Sequence, residues 1–278
     1  MHIIEAKNLS YIYPDGTKAL ENINFKAERG ECIALLGANG AGKSTLLKHF
    51  NGILKPSNGV VLIKGEPVTK QNILEVRKTI GLVFQDPDDQ IFAPTVKQDV
   101  AFGPINLGLS KEVIEHRVSE ALKLVGLAGY EERVPHHLSN GEKKRVAIAG
   151  VLAMEPQVLI LDEPTAGLDP DGVKKIIKLL KDLNDKFGIT IIVATHDVDI
   201  VPLYADRICV LSAGKLILDG EPRAVFSKNK LLEESNLDIP LITKLFKILS
   251  ESGINGLNTP LTIGEAKEEL LRLLSLRK

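Results

Sequence analysis

Tryptophan is missing from this chain, and cysteine and methionine occur only twice each. The two cysteines, Cys32 and Cys209, sit inside apolar runs, where a free thiol behaves as a small buried hydrophobe. That argues against a disulfide-stapled fold and fits a reducing cytoplasm. No apolar run reaches the roughly 18 residues needed to cross a bilayer. The opening Met1-His2-Ile3-Ile4-Glu5-Ala6-Lys7 likewise has no apolar stretch of the kind a secretory leader carries. A role at a membrane would therefore be reached through another chain. Neither sign of charge is in excess, since 35 basic residues against 36 acidic ones leave −1. Binding a polyanion by counterion release wants a basic stripe, so nucleic acid is not an expected partner.

What the 278 residues do contain is glycine at telling positions. Gly37-Ala38-Asn39-Gly40-Ala41-Gly42-Lys43-Ser44-Thr45 follows the apolar run 32–36 and precedes Leu46-Leu47-Lys48-His49-Phe50. A strand should feed through a glycine turn into a helix, which is the context of a P-loop. Several backbone N–H groups must converge on phosphate oxygens, and only a chain nearly free of Cβ atoms curls closely enough; Gly37, Gly40 and Gly42 allow it. The helix start turns its positive dipole end toward the phosphates, and Lys43 adds a mobile charge for the β- and γ-phosphates. The Ser44 hydroxyl is left for magnesium.

Along the chain, residues 3–7 and 22–27 read as short strands around the turn Pro14-Asp15-Gly16. Between them, Tyr11 and Tyr13 could stack on a nucleotide base or both pack on the sheet edge. Strands follow at 60–64 and 80–84. The second ends at Gln85, whose amide oxygen could meet a metal or a water at the crevice of the sheet. Residues 86–94 are acidic and broken by proline, so they should leave the sheet as a loop. Helical spacing recurs over 111–125 and 143–154, with Ser139 as an N-cap and Gly141 allowing close approach of an anion. Residues 158–163 form an unbroken apolar strand tipped by Asp162, suited to a magnesium shell, and Glu163, suited to polarising a water. A tight loop through Asp169, an amphipathic helix over 173–186 and a strand over 190–195 then deliver His196 as a γ-phosphate contact. A strand pair at 207–211 and 215–218 closes the sheet. From 221 the pattern is helical, with stripes over 241–252 and 263–276 around a Gly/Asn/Pro stretch at 253–260. Those stripes would pack on their own domain or form a partner surface.

Taken in order, residues 37–45, Gln85, 138–142, 158–163, 166–169 and His196 resemble the ATP-binding cassette of ABC transporters, over residues 1 to about 220. The resemblance implies an α/β fold: a P-loop NTPase (RecA-like) core with an antiparallel β edge, a helical subdomain inserted at about 86–154, and a C-terminal helical extension over 221–278 for dimerisation or regulation. It implies two cassettes closing head-to-tail on two ATP molecules, so that Ser139 and Gly141 of one cover the phosphates held by Lys43 of the other. It favours Tyr13 over Tyr11 as the stacking ring. The implied nucleotide set is Tyr13, Gly37, Asn39, Gly40, Gly42, Lys43, Ser44, Thr45, Ser139, Gly141 and Asp169. Ser44, Gln85 and Asp162 would serve Mg2+; Glu163, His196, Lys43 and Gln85 would serve catalysis.

Three finer runs narrow the resemblance: Phe84-Gln85-Asp86-Pro87-Asp88-Asp89-Gln90-Ile91-Phe92, Asp99-Val100-Ala101-Phe102-Gly103-Pro104, and Lys143-Lys144-Arg145-Val146-Ala147-Ile148-Ala149-Gly150. They are similar to ATPases of energy-coupling-factor importers, of the cobalt-uptake (CbiO) type. This implies an ATP-binding and ATP-hydrolysing subunit, peripheral on the cytoplasmic face of the membrane. Its partners would be a second ATPase subunit, identical or paralogous, and integral membrane coupling and substrate-binding subunits. The cargo would be a transition metal ion, cobalt foremost, or a vitamin. One motif departs: the usual Leu-Ser-Gly-Gly-Gln reads Leu138-Ser139-Asn140-Gly141-Glu142, which adds a Cβ and a negative charge near a helix start. The alternative is a soluble cassette protein acting on nucleic acid or ribosomes, and it would lead one to expect paired cassettes, coiled-coil inserts or basic arms, none of which is visible. A binding-only regulator would have no use for Glu163 or His196.

Overall fold

Short apolar runs without polar interruption need cover on both faces, and three of them make the centre of the main sheet here. The computed structural model describes residues 2–254 and 256–275; Met1, Asn255 and residues 276–278, which include the end of the helix expected over 263–276, lie outside the described residues. The strands are β1 (Ile4–Ile12), β2 (Lys18–Ala27), β3 (Cys32–Leu36), β4 (Asn58–Ile63), β5 (Glu66–Pro67), β6 (Ile80–Val83), β7 (Val158–Asp162), β8 (Thr190–Thr195), β9 (Arg207–Ser212) and β10 (Lys215–Gly220). The helices are α1 (Lys43–Phe50), α2 (Ile73–Thr79), α3 (Val96–Asn106), α4 (Lys111–Leu124), α5 (Asn140–Leu152), α6 (Pro170–Phe187), α7 (Pro222–Phe226), α8 (Asn229–Glu234), α9 (Leu241–Glu251) and α10 (Ile263–Ser275).

The six-stranded sheet runs β10-β9-β3-β8-β7-β6 and is parallel except for β10. All residues of β3, β7 and β8 are buried. The two-residue period of a strand sorts them between two layers. Ile33, Leu35, Ile160 and Ile192 pack with Leu46, Leu47 and Phe50 of α1, while Ala34, Leu36, Leu161 and Val193 pack with α5 and α6. On α6, Ile176, Ile177, Leu179, Leu180 and Leu183 are buried, each contributing about 1.5–3 kcal/mol. Its ends follow from local chemistry: Asp169 accepts from the Gly172 N–H at 2.7 Å, Pro170 opens the first turn, and Gly188 closes it at φ 64°.

The antiparallel edge expected of the main sheet is there as β10; what differs is that the other antiparallel strands form a sheet of their own, β2-β1-β4-β5, laid over α1. The sheets meet where the Glu21 N–H donates to Gly214 O at 2.8 Å. Moreover, β1 does not stop at residue 7. It passes Asn8, at φ 50°, through register shifts that carry it to Ile12; a bulge absorbs a residue that strand alternation cannot. A third difference is an addition: α3 was not legible, because Gly103 and Pro104 interrupt its apolar spacing. Thr95 starts it, its hydroxyl accepting from the Gln98 N–H at 3.3 Å.

The chain's last segment is not detached at its start. Val225, Phe226, Leu232, Leu237, Ile239 and Leu261 join the same core as α5 and α6. Cys32 and Cys209 are free and buried, and burial pushes the Cys32 thiol up to about 12. Among the described residues no helix is long and apolar enough to cross a membrane.

Candidate functional site

Parallel strands bring their carboxyl ends to one edge. Leu36 pairs with Thr195, Ala194 with Asp162, and Leu161 with Val83. The residues just beyond these ends, Gly37, His196, Glu163 and Gln85, therefore emerge along a common line. A cleft of about 500 Å³ opens there, lined by Tyr13, Asn39, Gly40, Gly42, Lys43, Ser44, Thr45, Gln85, Asp162 and Glu163.

The loop's glycines answer to sterics. A Cβ on Gly37 would lie 2.6 Å from Leu211 O; one on Gly42, which sits at φ 104°, would lie 2.7 Å from Ala19 O. Lys43 folds over the loop it follows. Its Nζ donates to Gly37 O at 2.7 Å and Ala38 O at 3.3 Å, and stands 3.4 Å from Glu163 Oε1.

Glu163 is held on several sides. It is buried and takes φ 47°, a left-handed conformation that costs a residue with a Cβ roughly 1–2 kcal/mol. His196 Nδ1 lies 2.9 Å from its Oε1, and the Thr195 hydroxyl donates to Oε2 at 3.3 Å. Facing a carboxylate, Nδ1 is the donor, and the ring is half exposed.

Asp162 fits a hard cation. Its Oδ1 is buried with no hydrogen-bond partner among the described residues. Burial pushes its carboxyl upward, against the pull of the Ser44 hydroxyl. Among the described residues no group of three or more His, Cys, Asp or Glu could hold a metal; a single carboxylate with a hydroxyl and an amide beside it is the donor set magnesium takes when phosphates complete its shell.

The two tyrosines pack differently. Tyr11 sets its ring edge-on to His49 at 4.8 Å and packs on the core, whereas Tyr13 lines the cleft, its hydroxyl 2.9 Å from Thr45 Oγ1.

Ser139, Gly141 and Asp169 do not line this cleft. Ser139 caps α5 in a capping box: its hydroxyl accepts from the Glu142 N–H at 3.3 Å, and its own N–H donates to Glu142 Oε2 at 2.8 Å. The Tyr130 hydroxyl donates to the other Glu142 oxygen at 2.9 Å. The added charge of Glu142 is thus absorbed by the helix start, and the Ser139 backbone N–H holds that carboxyl below the usual range. A Cβ at Gly141 would meet only Leu168 Cδ2, at 3.6 Å, so nothing within the chain requires glycine there. Asp169 is occupied as the cap of α6.

Two residues escaped the sequence reading. Thr195 steadies Glu163, and Lys144 donates to main-chain carbonyls beside it. A signal for Lys144 existed: it stands four residues before Ile148 and seven before Val151, on the buried stripe of α5.

A family model described as ABC transporter matches residues 20–166. Energy-coupling factor transporter ATP-binding protein EcfA of Methanocaldococcus jannaschii is 58% identical over 276 residues, covering 99% of each chain. The protein of the same name from Methanococcus maripaludis is 57% identical, covering 97% of this chain and 98% of its own. Among solved structures, cbiO1 from Clostridium perfringens, part of the ABC transporter complex cbiONQ, superposes with a TM-score of 0.77 at 50% identity, covering 90% of this chain and 99% of that one. A dimeric ATP-binding cassette in a post-hydrolysis state bound to ADP and Pi gives a TM-score of 0.72 at 32% identity, covering 78% and 98%.

Proposed function

Because this chain belongs to the ABC transporter ATPases, we propose that it is the motor of an energy-coupling-factor importer that takes up a transition metal ion, cobalt foremost, or a vitamin. As an ATP-binding subunit of that type it hydrolyses ATP in the service of transport. The resemblance of its sequence runs to the cobalt-uptake (CbiO) type makes metal the first cargo to test.

The carrying observation is that Lys43, Gln85, Asp162 and Glu163 share one cleft, which Ser139, Gly141 and Asp169 do not line. Those three are read as completing the cleft of another copy or a paralogue. In this reading Tyr13 stacks on the base, and Gly37, Asn39, Gly40, Gly42, Lys43 and Thr45 surround the phosphates. Ser44, Gln85 and Asp162 hold magnesium, which neutralises phosphate charge when bound. Glu163, oriented by Thr195 and His196, directs the attacking water. The other subunit's start of α5 closes over the γ-phosphate. Catalysis is then positioning and electrostatics.

Residues 1–220 serve as the ATPase domain, with about 86–154 as its helical subdomain, and 221–278 serve in pairing the subunits. The assembly sits on the cytoplasmic face of the membrane, held there by integral membrane partners. Purification from native membranes in mild detergent tests this: a multi-span protein should co-purify, and vesicles holding the complex should accumulate cobalt or a vitamin only with Mg-ATP. Ribosomes or DNA as the sole companions would overturn it.

A further inference from the structure

Three consecutive cations on α5 leave the helix about 100° apart and grip three different segments. Lys143 Nζ lies 2.7 Å from Asp88 in the loop after Gln85. Arg145 Nη1 donates to the carbonyls of Val125 and Gly126, at 3.1 and 3.3 Å, where α4 ends. Lys144, only 4% exposed, donates to Ala166 O at 2.6 Å and Glu163 O at 3.2 Å.

Lys144 is the unusual member. Burying an ammonium is costly, and an apolar side chain would suit its place on the α5 stripe without that cost. Its hydrogen bonds run to main-chain carbonyls, and those two carbonyls bracket the turn in which Ala166 N–H donates to Glu163 O at 3.2 Å. The same turn holds Glu163 at φ 47°. A strained backbone persists where its surroundings over-determine it, and Lys144 supplies two of the constraints.

We infer that Lys144 is a positioning residue for ATP hydrolysis: its ammonium ties the 163–166 turn, and so the direction of the Glu163 carboxylate, to the helix whose first residues meet the other subunit. This rests on Glu163 directing the attacking water. Since α5 begins at the surface that closes on the partner's nucleotide, engagement of one site is passed through Lys144 to the carboxylate of the other.

The test uses full-length protein in steady-state ATPase assays. Lys144→Met keeps the stem and removes the donors. It should lower kcat at least tenfold, leave KM within threefold, and bring the Hill coefficient for ATP toward one, with affinity for a fluorescent ATP analogue unchanged. Lys144→Gln, which restores N–H donors, should recover part of the loss in kcat. In a Glu163→Gln background, adding Lys144→Met should lower the residual single-turnover rate less than twofold, because the two act as one unit. A raised KM with intact kcat, or a tenfold loss persisting beside Glu163→Gln, overturns the inference. Should Lys144→Met not fold, Lys144→Leu is read the same way, since replacing a buried charge by a well-packed apolar residue is often neutral for stability. Normal turnover in Glu163→Gln itself would instead remove the assignment of Glu163; normal turnover in Lys144→Met beside an inactive Glu163→Gln removes this inference alone.

Discussion

Lys43 is held by two loop carbonyls and faces Glu163 at 3.4 Å, so its charge is already desolvated and fixed at the phosphate side of the cleft. Lys43→Ala should weaken Mg-ATP binding by about 10–100-fold in titration calorimetry, the equivalent of one charged hydrogen bond at roughly 1.5–3 kcal/mol. Glu163→Gln should act differently: ATP affinity stays within about twofold, turnover falls by about 10²–10⁴-fold as for loss of a general base, and the protein accumulates as a closed dimer on size exclusion with Mg-ATP. Gly37→Ala is a structural test. Its Cβ would stand 2.6 Å from Leu211 O, so either the loop or β9 shifts, at a cost of about 1–3 kcal/mol, visible as a lowered melting temperature. These residue types were legible in the sequence because phosphate chemistry admits few alternatives. Thr195 was not, since a threonine ending an apolar strand carries no mark of the carboxylate it touches.

At the scale of elements, the start of α5 has two duties. Its capping box stabilises the helix, and in the function proposed above its exposed end is offered to the other subunit. Ser139→Ala should cost about 1 kcal/mol of stability, or roughly 2–4 °C in melting temperature for a protein of this size, yet ATPase activity should fall much further than that loss explains. Glu142 adds a pH signature. Its folded-state pKa is depressed, first by the Ser139 backbone N–H. The stability it contributes is therefore present above its unfolded value near 4.5 and is lost as pH falls through the lower folded one. Melting curves of wild type and Glu142→Gln should differ at neutral pH and converge in acid. Both the N-cap and the box have a sequence signal, since Ser139-Asn140-Gly141-Glu142 is the Ser-x-x-Glu pattern of a capping box. The α3 helix was hidden because Gly103 and Pro104 break the spacing that reveals amphipathic helices.

For the whole molecule the question is what covers the last two helices. Leu241, Leu245 and Ile248 are exposed on one side of α9, as are Ile263, Leu270 and Leu274 of α10. Apolar ridges of this size mark contact surfaces. Leu245→Glu with Ile248→Glu should leave the melting of the monomer nearly unchanged, since both side chains are already half exposed, but should weaken subunit pairing, read by light scattering with Mg-ATP. Pairing that persists in this variant would remove residues 221–278 from the role assigned to them. Removing the whole extension would be a poor substitute, because Phe226, Leu232 and Ile239 belong to the ATPase core.

The order of motifs along the chain was enough to determine the nucleotide chemistry, the parallel core and the family likeness, because each depends on local pattern: glycine spacing, unbroken apolar runs, carboxylates at strand ends. Only the tertiary structure decided which parts of that pattern share a cleft. Strand order brought Gly37, Glu163, Gln85 and His196 to one edge, whereas Ser139, Gly141 and Asp169 do not line the cleft there. Packing put Tyr13 and not Tyr11 at the cleft and turned Lys144 toward the Glu163 turn. Such outcomes depend on contacts between residues far apart in sequence, and a linear pattern holds no record of them until the sheet is assembled.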